Sequence, residues 1–314
     1  MPEHALPGHA LPEHALPENP LHEPVLAWFE ANARDLPWRR TECSPWGVLV
    51  SEVMLQQTPV SRVLPVWRQW LTRWPTPGDL AAEAPGEAVL WWGRLGYPRR
   101  ALRLHAAALA MMARHGGQVP ADQAALSALP GVGSYTAAAV ASFAFGQRHA
   151  VLDTNVRRVL ARAVDGLARP ISGGGPSTTE TAMARRVLPI QPARAARWAG
   201  ATMELGALIC TARSPSCEAC PISSRCRWLR AGAPRPTGPG RPAQRYEGTD
   251  RWMRGLLLAA VRTAGEPLTL AELRRAAPDS VQNDPMQRRR ALDSLVADGL
   301  LETLPRNRFR LPGR

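Results

Sequence analysis

The sequence predicts an all-α body followed by a small module of three helices and a hairpin. Three observations carry that expectation. Apolar residues recur at helical spacing over most of residues 23 to 230, the period that buries one face of a helix. Ala and Leu are abundant, while the β-branched alternation of strands is scarce. Pro and Gly break the helical patterns at short intervals, as a compact multi-helix domain requires. At 314 residues the chain can hold one large or two smaller cores.

Residues 1–22 open with HALP three times at five-residue spacing, with too few large apolar groups to pack, and are expected to be disordered. His4, His9, His14 and His22 lie in or beside this repeat and could chelate a metal, although a repeat without function is the simpler reading. Residues 23–230 form the helical body. Within it Val48 to Val60 reads VLVSEVMLQQTPV, and Trp46, Leu49, Val50, Val53 and Met54 make a core-facing stripe. Glu52 sits just off that stripe, one turn from Val48, Leu49, Leu55 and Gln56. A solvated surface glutamate is the ordinary reading of that pattern. Were it buried, such a carboxyl would tend to hold its proton.

LPGVGSYT (Leu129 to Thr136) joins two helical segments. Gly131 and Gly133 permit positive φ and remove side chains, so backbone N–H groups can approach an anion. The helix opening near Ser134 adds its N-terminal dipole. VLDTNVRRVLAR (Val151 to Arg162) follows, in which Asp153 ends an apolar segment and Asn155 opens an Arg-studded helix. Helix capping alone would account for Asp153. Cys210, Cys217, Cys220 and Cys226 are spaced C-x6-C-x2-C-x5-C. Only Cys217 and Cys220 form a close knuckle of the kind zinc sites pair. Four thiolates in so short a loop suit a 4Fe–4S cubane better than zinc, with zinc still open on spacing alone. Cys43 reads as an ordinary semi-buried thiol.

Ala231 to Gln244 carries four Pro and three Gly, so residues 231–246 read as a linker. Residues 247–314 read as a winged-helix-like module. Thr249 to Thr263 forms a helix, Thr269 and Glu272 make a capping box for a second, and Asp284 with Pro285 starts a third that stops at Gly299. Leu300 to Pro312 reads as two short strands around a Pro-Arg-Asn turn.

All 39 basic residues are Arg, against 26 acids, for a net charge of +13. Codon bias explains Arg over Lys but not the excess over acids, which points to a polyanionic partner, nucleic acid first. No apolar run approaches the ~18 residues of a membrane span, and no signal-peptide pattern is visible. A cytoplasmic, nucleoid-associated monomer is expected. Five Cys, four of them between 210 and 226, suit an intracellular metal site.

SEVMLQQT, LPGVGSYT, LDTNV and the four-cysteine loop stand in the order of the helix-hairpin-helix DNA glycosylases of the endonuclease III superfamily, over about residues 24 to 230. LPW (Leu36 to Trp38), SEVMLQQT, LGY (Leu95 to Tyr97) and MELGALIC (Met203 to Cys210) resemble its adenine DNA glycosylase (MutY-type) branch. The resemblance implies a 4Fe–4S cluster on the four Cys. It also implies Glu52 as catalytic acid and Asp153 as catalytic carboxylate, supported by Tyr135 and Asn155. Gln57 and Tyr97 match residues that wedge into the duplex, and Gly131 and Gly133 the phosphate loop. Arg39 and Glu204 lie where the family places residues near the adenine pocket. The implied partner is double-stranded DNA containing adenine opposite 8-oxoguanine or guanine.

There are departures. Pro98 follows Tyr97 where a second aromatic is common, the segment between Trp38 and Pro45 is one residue longer, and 88 residues follow Cys226 where many members carry a larger Nudix-like domain. The sequence thus resembles the short bacterial forms. Bifunctional members of the superfamily use a Lys in the hairpin, where this chain has Tyr135 and no Lys anywhere, so a monofunctional enzyme is expected. The competing expectations are a thymine/mismatch glycosylase of the same superfamily and a non-enzymatic iron–sulfur DNA-binding regulator.

Overall fold

A computed structural model describes residues 19–235, 246–276 and 286–314. The whole HALP repeat, most of the linker and the expected helix start at Asp284 and Pro285 lie outside the described residues. The chain is mainly helical, as expected. α1 (His22–Asn32) is followed by α2 (Pro45–Leu55), α3 (Val60–Arg73), α4 (Pro77–Ala81), α5 (Pro85–Trp92), α6 (Arg99–Arg114), α7 (Gln123–Ser127) and α8 (Ser134–Phe145). Next come α9 (Thr154–Leu160), which runs into a π-helical turn at Ala161–Asp165, α10 (Thr178–Arg186), α11 (Pro192–Leu208) and the one-turn α12 (Arg227–Arg230). The C-terminal module holds α13 (Asp250–Ala264), β1 (Leu268–Thr269), α14 (Leu270–Ala276), α15 (Gln287–Ala297), β2 (Glu302–Leu304) and β3 (Arg308–Arg310).

Compactness divides the chain differently from the linear partition that composition suggests. One unit takes the described residues up to Arg34 and those from Leu152 to 235; the other takes Asp35–Val151 and the described residues from 246 onward. In the first unit α11 packs on both α1 and α9, and α12 packs on the π-helical turn. Pro192 opens α11 at its first turn, where the missing N–H costs nothing. Ser177 and Glu180 close a capping box on α10.

The second unit is built on one apolar cluster that holds Trp46, Trp70, Trp74 and Trp92 together with residues of the C-terminal module, among them Met253, Leu257, Leu292, Leu295 and Phe309. The sequence set those residues apart behind a linker; packing puts them in one core with α2–α8. The main-chain N–H of Gly86 donates to the Pro312 carbonyl at 2.8 Å, and a Cβ at Gly86 would stand 2.6 Å from that oxygen. The module has its three helices and hairpin, and Thr269 with Glu272 caps α14 as expected. One strand was not foreseen: two-residue β1 pairs with β3 to give an antiparallel sheet of order β1-β3-β2, with Leu268 and Thr303 both opposite Phe309. Two residues carry no alternation to read.

Candidate active site and cluster loop

In the second unit, Ser44 caps α2 by accepting from the Gly47 N–H, and Pro45 takes the first helical position. The helix is buried on nearly every side, so Glu52 comes inside with it, at 7 % exposure between Val48 and Val53. The surface reading of Glu52 is therefore excluded. Tyr135, in the first turn of α8, donates its hydroxyl to Glu52 Oε2 at 3.1 Å. One turn further along α2, Gln56 Nε2 donates to Thr136 Oγ1 at 3.2 Å, fastening the same two helices.

Gln57 and Tyr97 follow on exposed loops, and both hold positive φ, 54° and 47°. Such backbone is strained for residues other than Gly and clusters at functional positions. Arg100 holds both loops. Buried at 6 % exposure, it donates to the carbonyls of Val53, Met54 and Gln56, to Thr58 Oγ1 and to the Gly96 carbonyl. It thus takes up orphan carbonyls at the C-terminus of α2 and ties them to the turn before Tyr97. Burial lowers its pKa to about 10. Sequence reading missed it, because its partners are mainly backbone oxygens.

The hairpin between α7 and α8 separates its two glycines. Gly131 has φ +78°, and a Cβ there would lie 2.6 Å from that of Arg103. Gly133 caps α8 with φ −84°, so the expected positive φ does not apply to it. A Cβ at Gly133 would meet nothing within 4 Å, and no side chain caps the helix. Its contribution is an open approach to the first N–H groups of α8. Arg39 is half-buried on the short turn Pro37–Arg39.

In the first unit, Asp153 is the N-cap of α9, and also more than a cap. Oδ1 accepts from the Val156 N–H at 2.6 Å and Oδ2 from Asn155 Nδ2 at 2.7 Å. Burial pushes the Asp153 carboxyl above the usual aspartate value, against the pull of those donors and of Arg158. Arg158 donates to Asn155 Oδ1 at 2.8 Å and to the Cys210 carbonyl at 2.6 Å. A chain of polar contacts therefore runs from Asp153 through Asn155 and Arg158 to the cysteine loop. The Arg-studded face of α9 is turned inward. Arg157 forms a buried pair with Glu180, and Arg162, 4 % exposed, donates to the carbonyls of Thr211 and Ala212. Glu204 on α11 is fully buried, and Arg34 grips it with two parallel bonds of 2.7 Å.

Cys210, Cys217, Cys220 and Cys226 line one cavity with Arg162, Ile209 and Trp228. Burial, reinforced by the other three sulfurs, pushes the Cys220 thiol up to about 11. Arg162 points Nη1 at Cys210 Sγ, 3.3 Å away, and its guanidinium lies 4.7 Å from the Trp228 ring centroid. Among the described residues no three His, Cys, Asp or Glu side chains converge closely enough to hold one metal ion. Four cysteine sulfurs lining one cavity are the donor set that a 4Fe–4S cubane takes.

Among the described residues no helix is long and apolar enough to cross a membrane. Residues 50–168 match the HhH-GPD superfamily of base excision DNA repair proteins, and residues 210–226 match the iron–sulfur binding domain of endonuclease III. The loop is thus an iron–sulfur cluster loop. The chain is 50 % identical to an adenine DNA glycosylase of Mycolicibacterium smegmatis over 290 residues, 92 % of this chain and 95 % of that protein. It is 41 % identical to the human adenine DNA glycosylase over 216 residues, 65 % of this chain and 38 % of that protein. Among solved structures, a thermostable thymine-DNA glycosylase aligns with a TM-score of 0.58 at 27 % identity, covering 66 % of this chain and 94 % of that one. Endonuclease III in a non-covalent DNA complex aligns with a TM-score of 0.56 at 23 % identity, covering 66 % and 92 %, a likeness of fold.

Proposed function

Because this chain belongs to the adenine DNA glycosylase family, we propose that it hydrolyses the N-glycosidic bond of adenine opposite 8-oxoguanine or guanine in duplex DNA. The observation that carries the proposal is Glu52, a carboxyl buried in an apolar helix and held by Tyr135. Adenine leaves poorly unless a ring nitrogen is protonated, and a setting that penalises the anion suits an acid that must carry its proton to the reaction. As the bond breaks, positive charge grows on the sugar. Asp153, held by Asn155 and the Val156 N–H, supplies the carboxylate that stabilises it, as in glycoside hydrolysis.

Extruding the base costs roughly a few kcal/mol. Gln57 and Tyr97 act as wedges, and the Gly133 end of α8 holds a backbone phosphate. Arg39 borders the adenine pocket. Glu204 contributes through its pair with Arg34, which orients α11. When bound, the cluster ties the four sulfurs of the loop into one unit, and Arg158 carries that rigidity to Asn155 and Asp153.

The hairpin residue Tyr135 has no amine, and the chain has no Lys, so a lysine imine cannot form. The enzyme releases the base and leaves an abasic site. Single-turnover assays on duplexes with adenine opposite 8-oxoguanine, adenine opposite guanine and thymine opposite guanine test the reading. Adenine release from the first two is expected; thymine release alone would establish the mismatch-thymine reading, and binding without any release the regulator. Borohydride should trap no adduct within the helical body; a strong one mapped there would overturn the monofunctional assignment.

A further inference from the structure

Five side chains of the second unit alternate between aromatic and guanidinium groups, from the core to the surface. Arg100 Cζ lies 5.2 Å from the Trp92 ring centroid and 5.4 Å from that of Tyr97. Arg251 Cζ lies 4.7 Å from the same Tyr97 centroid and 5.7 Å from that of Tyr246. Exposure rises along the series, from 0 % at Trp92 and 6 % at Arg100 to 39 % at Tyr97 and 51 % at Tyr246.

The two arginines differ in what they still have to offer. Arg100 is taken up by carbonyls and Thr58, as described. Arg251 is exposed and makes no hydrogen bond or ion pair among the described residues; its contacts are the two tyrosine rings. Its neighbours are otherwise engaged. Asp250 pairs with Arg290, Arg254 with Asp298, Arg289 with Asp293, and Arg310 with Glu302. Arginines of α15 and the hairpin are thus partly neutralised in place, and Arg251 is not.

Two rings beside a guanidinium leave its N–H edge outward and limit its rotamers. A guanidinium presented edge-on is a bidentate donor for phosphate oxygens or for guanine O6 and N7. One of the rings is Tyr97, whose backbone is held at positive φ by the turn that Arg100 secures.

We infer that Tyr97, Arg251 and Tyr246 form one DNA-recognition platform, in which Tyr97 enters the duplex at the mispair and Arg251 donates to acceptor oxygens beside it. The inference rests on the reading of Tyr97 as a duplex wedge. It gives the C-terminal module a direct part in lesion recognition through the first turn of α13, not through α15 or the hairpin.

The test uses the full chain with Arg251→Ala, Arg251→Lys and Tyr246→Ala. Affinity is measured by fluorescence anisotropy across a salt series, on duplexes with adenine opposite 8-oxoguanine, adenine opposite guanine, and no mispair. Arg251→Ala should weaken mispair binding by roughly tenfold. Tyr246→Ala should give part of that loss, and Arg251→Lys should restore charge but not the bidentate contact. If the acceptor is a phosphate, all three duplexes lose affinity alike and the log–log salt slope falls by about one. If it is a base edge, the loss depends on the base opposite adenine and the slope is kept. Wild-type affinity and slope in both alanine variants would overturn the platform, even with adenine release intact. Loss of affinity in Arg251→Ala with no adenine release by the wild-type chain would uphold the platform and sink the proposed activity.

Discussion

Glu52 is a buried carboxyl and Asp153 a half-buried one, and they are held in different ways. Glu52 lies among apolar side chains with the Tyr135 hydroxyl on Oε2, whereas Asp153 collects a backbone N–H, an amide and a nearby guanidinium. Glu52→Gln and Asp153→Asn should each lower single-turnover adenine excision by at least ~10²-fold with duplex binding nearly unchanged, since the proposed mechanism has both groups act on the transition state. A near-normal rate in either would remove that residue from the mechanism. Burial raises the Asp153 pKa, and the proposed mechanism needs the anion, so protonation on lowering pH should remove activity. Excision should therefore fall as pH drops through a value above the usual aspartate range, and Asp153→Asn should lack that acid limb; a pH series of single-turnover rates measures both. The stripe around Glu52 was legible because helical period places its neighbours. Arg100 and Arg158 were not legible, because they bind main-chain carbonyls, which every residue type supplies.

At the scale of elements, the hairpin and α9 make separable predictions. Gly131→Ala combines positive φ with a 2.6 Å clash against Arg103, and should cost about 1 kcal/mol or more in thermal or denaturant unfolding. Gly133→Ala meets no neighbour, so stability should hold while duplex affinity falls; equal stability losses in the two would refute the division of roles. Arg158→Ala would leave the carbonyls of Gly206 and Cys210 and the Asn155 side chain without their donor. An unfolding cost of about 2–3 kcal/mol is expected, with earlier loss of the cluster's visible absorbance on heating and a slower excision step. Unchanged absorbance and rate would show that the loop and Asp153 are independent. The capping boxes at Thr269 and Ser177 follow from a local rule, and such elements can be read from sequence. β1 exists only because β3 offers it an edge, and the inward turn of the Arg-rich face of α9 depends on carbonyls far along the chain.

For the whole molecule, the apolar cluster joining α2–α8 to the C-terminal module decides what truncation does. Removing residues 246–314 would take Met253, Leu257, Leu295 and their neighbours out of the core they share with α2–α8. The shortened chain should melt well below the full one, or aggregate, as buried apolar area returns to water; an unchanged melting curve would show the module to be dispensable for folding. Composition could mark the linker, but it carries no record of which core the residues beyond it complete. The division into units also bears on synthesis. Each unit is assembled from two stretches of chain, with Asp35–Val151 emerging between the halves of the first unit and Leu152–Pro236 between those of the second. Neither can close while its second stretch is still on the ribosome. α1 must wait for α11, and the tryptophan-rich helices must wait for α13 to α15. The nascent protein therefore carries two unfinished apolar surfaces at once for most of its translation, a condition under which domains gain most from chaperone shelter and in which slower growth of the chain gives no early folding advantage.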